Sequence, residues 1–87
     1  MKSDQAKIMR LLKTARGQIE GLMRMVEDDR YCVDISNQIL ATQAILRNIN
    51  HQILQDHLHH CVREAMETGE GNEKIDEVMA IIDKLTK

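Results

Sequence analysis

The run Cys32-Val33-Asp34-Ile35-Ser36-Asn37-Gln38-Ile39-Leu40-Ala41-Thr42-Gln43-Ala44-Ile45-Leu46-Arg47-Asn48-Ile49-Asn50-His51-Gln52-Ile53-Leu54-Gln55-Asp56-His57-Leu58-His59-His60-Cys61 contains neither Pro nor Gly. Its apolar seam is Cys32, Ile35, Ile39, Thr42, Leu46, Ile49 and Ile53, which advances in alternating steps of three and four. That spacing is a heptad-type stripe on one long helix. Two further steps of four land on His57 and Cys61. A second row, Leu40, Ala41, Ala44 and Ile45, widens the apolar face to what a bundle needs. The pattern predicts a helix over about residues 32–67.

Outward from this run, the chain reads as two more helices. Before it, Ile8, Leu11, Leu12, Ala15, Ile19, Leu22, Met23 and Val26 recur at helical spacing, which predicts a helix over about 4–27 with Ser3 or Asp4 as N-cap. Gly17 and Gly21 sit inside it, each unfavourable by roughly 1 kcal/mol against Ala. Glycines four apart permit close approach of another helix; a local bend is the other reading. Glu27-Asp28-Asp29-Arg30-Tyr31-Cys32 is a short break. Thr68-Gly69-Glu70-Gly71-Asn72 is a turn, and Ile75, Val78, Met79, Ile82 and Leu85 predict a helix over about 73–85. The expected fold class is all-α, a three-helix protomer forming a single domain over residues 1–87.

Composition agrees and narrows the setting. The chain has no Pro, Trp or Phe and a single Tyr, with 30% charged residues, as long helices require. No apolar run approaches the roughly 20 residues that span a bilayer, and no signal-peptide pattern follows Met1. The expected compartment is the cytoplasm, where two cysteines stay reduced and point to metal or redox chemistry. Net charge is −2, but residues 1–24 carry six basic groups against Asp4 and Glu20. That basic segment suits nucleic acid, the more so if an oligomer multiplies it.

A chain this short carries a small core and often needs oligomerisation, metal or disulfides for firm stability. A helix over 32–67 is about 54 Å long, and two shorter helices do not cover its stripe. The physical expectation is an antiparallel dimer on the long helix, a four-helix bundle. Cys32, His57 and Cys61 lead to the same arrangement. His57 and Cys61 share a helical face, whereas Cys32 lies 25 residues before His57, about 37 Å along a helix. Two antiparallel chains bring Cys32 of one beside His57 and Cys61 of the other, and a two-fold axis makes two such sites. Two sulfurs and a nitrogen select soft or borderline ions. Three donors suit trigonal Cu(I). His60 or a water as fourth ligand would suit zinc, and the two thiols could instead form a disulfide. The plainer alternative is a solvated His cluster with two small apolar cysteines.

Three segments carry a resemblance: Arg16-Gly17-Gln18-Ile19-Glu20-Gly21, Met25-Val26-Glu27-Asp28-Asp29-Arg30-Tyr31-Cys32-Val33-Asp34-Ile35, and His57-Leu58-His59-His60-Cys61. In order and spacing the chain, from about Lys7 to Leu85, resembles the CsoR/RcnR family of bacterial metal-sensing repressors. The resemblance implies an antiparallel dimer, a dimer-of-dimers tetramer, and operator DNA binding without a helix-turn-helix, released by the effector. Cys32, His57 and Cys61, with no His in residues 1–7, resemble the copper branch, which implies Cu(I). The nickel/cobalt branch would need an N-terminal His and His in place of Cys61, the formaldehyde branch an N-terminal Pro. The persulfide branch lacks the ligating His. The resemblance also implies that Tyr31 and Glu77 couple to His57, although on residues alone Glu77 reads as one more solvated acid. Lys7, Arg10, Lys13 and Arg16, with Arg47, become candidate DNA contacts; a solvated face is their ordinary reading. Asn48 stands where family members often carry Arg, which puts individual contacts in question. The implied function is a Cu(I)-responsive repressor; the alternative is a thiol-based persulfide or redox sensor using Cys32 and Cys61. No Ser-His-Asp arrangement or phosphate loop suggests an enzyme.

Overall fold

The computed structural model describes residues 1–69 and 72–85. Three helices form in the expected order: α1 (Gln5–Glu27), α2 (Cys32–Thr68) and α3 (Asn72–Leu85). No strand occurs among the described residues, so the all-α reading holds. Glu70 and Gly71 of the anticipated turn lie outside the described residues. No described helix is long and apolar enough to cross a membrane.

Local chemistry sets each helix end. Of the two N-cap candidates the fold uses Asp4, whose Oδ1 accepts from the amides of Ala6 at 3.1 Å and Lys7 at 3.3 Å. This occupies donors that a helix start leaves free. At the other end of α1, the Arg30 amide donates to the Met25 carbonyl at 3.0 Å and the Asp29 amide to the Val26 carbonyl at 3.1 Å. These are the paired bonds of a Schellman stop. The position that this motif turns left-handed is Asp29, at φ 53°. Glycine is the usual occupant, and its absence is why the break reads only as an acidic run. The end of α2 is conventional: Gly69 has φ 73° and its amide reaches the Ala65 carbonyl at 2.8 Å.

The fold comprises two compact units, Asp4–Ile49 and Met1–Ser3 with Asn50–Lys87. In the first, α1 and the leading half of α2 form a helical hairpin whose interior is Ile8, Ala15, Thr42 and Ile49. Thr42 is 5% exposed, and its hydroxyl donates to Gln18 Oε1 at 2.8 Å, tying the two helices across the interior. The seam of α2 is therefore divided. Thr42 and Ile49 are spent within the chain, while Ile39, Leu46 and Leu40 stay 42%, 43% and 59% exposed. On α1, Ile19, Met23 and Val26 are exposed as well. No close approach is made at the α1 glycines within one chain: a Cβ at Gly17 would meet nothing within 4 Å, and one at Gly21 only the Arg24 guanidinium at 3.8 Å. In the second unit the trailing half of α2 and α3 bury Cys61 and Val78.

The left-handed Asp29 gives a direct test. Asp29→Gly relieves a conformation that costs an L-residue roughly 1 kcal/mol. It should raise the urea midpoint by an amount equivalent to about 1 kcal/mol with an unchanged slope; a lower midpoint would show that the Asp29 side chain itself stabilises the break.

Candidate metal centre

The three sequence-derived donors divide between the two units. Cys32 is the first residue of α2 and is exposed. It follows Tyr31, whose carbonyl accepts the amides of Asp34 at 3.0 Å and Ile35 at 3.2 Å and so starts the helix. The Tyr31 ring is 68% exposed. His57 and Cys61 lie in the second unit, one helical turn apart, where Cys61 is 1% exposed and His57 half-buried.

His57 and Cys61 line one hollow of about 280 Å³, together with Lys2, His60, Glu64 and Glu77. Glu77 comes from α3 and the others, apart from Lys2, from α2. The carboxylate that residue reading alone assigned to solvent therefore borders the same space as the histidine. Such a carboxylate can hold the second N–H of a ligating imidazole and fix its tautomer. His60 Nε2 lies 3.6 Å from Glu64 Oε2, an ion pair when the ring is protonated.

Within one chain the described residues bring no three His, Cys, Asp or Glu groups together as a metal cage. His57, Cys61 and Glu77 only border one hollow, while Cys32 and Tyr31 belong to the other unit. The buried sulfur and adjacent imidazole fit a soft or borderline ion, yet two donors make an incomplete site. Glu64 was findable from spacing, three residues beyond Cys61, as was His60, three beyond His57. Lys2 had no periodic signal, because it precedes the first helix.

The candidate DNA residues Lys7, Arg10, Lys13 and Arg16 are exposed on α1, and Arg47 is exposed on α2, all in the first unit. Spaced by threes, the four α1 residues wind slowly round the helix rather than forming one narrow line.

Comparison with known proteins places this geometry. The family described as metal-sensitive transcriptional repressor matches residues 4–84. The copper-sensing transcriptional repressor CsoR of Bacillus subtilis is 44% identical over 84 residues, covering 97% of this chain and 83% of that one. The Cu(I)-bound crystal structure of CsoR from Geobacillus thermodenitrificans superposes with a TM-score of 0.83 at 44% identity, covering 94% of this chain and 85% of that one. The nickel-responsive regulator InrS superposes with a TM-score of 0.84 at 25% identity, covering 98% and 96%. Copper and nickel regulators thus share this helical frame, and the fold alone does not name the ion.

Burial of Cys61 has a measurable consequence. In the reduced native protein Cys61 should react with a maleimide on the order of tenfold or more slowly than in denaturant, and more slowly than Cys32. Peptide mapping after timed labelling checks this; equal native rates would contradict the burial.

Proposed function

The chain belongs to the metal-sensitive transcriptional repressor family, and on that premise we propose that it is a Cu(I)-responsive repressor of operator DNA. The observation that carries this reading is the hollow in which buried Cys61, His57 and Glu77 converge, with the remaining thiol stationed on the same helix in the other unit. The relatives at 44% identity, both copper-sensing, support the choice of ion. As its relatives are repressors, the protein is a regulator and not an enzyme.

In this proposal residues 1–87 act as one cytoplasmic, metal-sensing and DNA-binding domain. Two copies pair antiparallel through the apolar rows that a lone α2 leaves exposed, and two such dimers form the tetramer. Cys32 of one protomer with His57 and Cys61 of its partner would hold Cu(I). The ion supplies a positive charge and a fixed link between protomers. His57, engaged through one ring nitrogen, would present its other N–H to Glu77 and Tyr31 and so couple α3 to α2. The α1 residues Lys7, Arg10, Lys13 and Arg16, with Arg47, neutralise phosphates in the apo state, by counterion release rather than base reading. The exposure of Cys32 favours one second reading, a persulfide or redox sensor that links Cys32 to Cys61.

Operator titration distinguishes these readings. Saturating Cu(I) should weaken DNA binding about tenfold or more, and by linkage DNA should weaken Cu(I) binding by the same factor. His57→Ala should bind DNA normally when apo and lose the copper response; a surviving response to sulfane sulfur would favour the thiol reading. Unchanged DNA affinity at saturating Cu(I) would overturn the proposal.

Arg16→Glu tests the DNA face. It should lower apo operator affinity about tenfold and flatten the salt dependence by about one phosphate contact or more. Binding that keeps the wild-type salt slope would remove Arg16 from the interface.

A further inference from the structure

Lys2 lines the hollow of His57 and Cys61, and also a neighbouring one of about 220 Å³ bordered by Asp56, His59, His60 and Arg63. Residues Met1–Ser3 belong to the compact unit that contains these hollows, although α1 follows directly after them in sequence. Ser3 is part-buried with its Oγ enclosed, so the segment rests against the protein. Around the first hollow Lys2, itself exposed, is the only Lys or Arg among the described lining residues, with the carboxylates Glu64 and Glu77 on the same rim.

We infer that Lys2 is a specificity-determining residue, whose fixed positive charge biases the donor set toward a monovalent ion and against divalent ones. This rests on the metal-sensing reading and deepens it. Two thiolates and an imidazole suit trigonal Cu(I) and, once His60 or a water adds a fourth ligand, Zn(II), so these donors leave that choice open. Charge does not. The Coulomb energy between a fixed ammonium and a bound ion scales with the ion's charge, so Lys2 opposes a dication twice as strongly as a monocation. Glu64 and Glu77 act in the opposite sense, and the His60 ring shares Glu64 when protonated. Replacing Lys2 by a neutral side chain removes that opposition and shifts the preference of the hollow toward divalent ions.

The test is a pair of affinities on the reduced, full-length protein. Cu(I) and Zn(II) affinities are measured by chelator competition at low salt for the wild type, Lys2→Gln and Lys2→Arg. For Lys2→Gln, Cu(I) affinity should rise about threefold and Zn(II) affinity about tenfold, the square of the first factor. The Lys2→Arg variant should keep the wild-type ratio, and 1 M salt should shrink the difference. Equal factors for the two ions, or no change in either, would overturn the inference while leaving copper sensing intact. A wild-type protein that takes up neither ion would overturn the metal-sensing reading, and this inference with it.

Discussion

An α-helix advances about 1.5 Å per residue and does not return on itself. In a chain whose only two thiols lie near the start of such a helix and nearly thirty residues along it, this constraint governs everything else. The helix α2 runs from Cys32 to Thr68, and the two thiols fall in separate compact units. What one copy brings together is a hollow lined by His57 and Cys61, with Glu77 from α3 on the same rim. In the same unit, α3 supplies one wall of that hollow and Lys2 borders it.

The extent of each helix could be read from the residues because apolar spacing and caps are local properties. The seam of α2, the Asp4 cap and the Gly69 stop all follow from a few neighbouring side chains. The stop at Asp29 was harder to read, since a left-handed position filled by Asp lacks the glycine that marks it. The division of the seam was not readable either. Periodicity shows which residues share a face, but not whether that face meets its own chain or another. Thr42 reached Gln18 of α1 and Ile49 was buried, whereas Ile39 and Leu46 stayed open.

At the hollow, spacing alone placed His57 beside Cys61, as a turn of helix fixes their proximity. Glu77 needed more, because a residue on another helix joins the site only through tertiary packing. Residue reading left it in solvent, and the family resemblance drew it to His57. Lys2 escaped both routes: it belongs to no helix, and charge alone gives a side chain no address. The superposition on copper and nickel regulators makes the same point at larger scale. A shared frame leaves discrimination between ions to a handful of side chains.

The two thiols differ sharply in burial and sit in separate units of one protomer. The centre proposed above is shared between copies of the chain, and a centre of that kind would obey mass action twice, once for the ligand and once for the protein. Dilution that dissociates the assembly also dismantles the centre, so the apparent ligand affinity falls with it. The ligand in turn holds the assembly together at concentrations where the bare protein would come apart. In a cell that keeps a regulator at low copy number, sensitivity is then set partly by how much of the regulator is made.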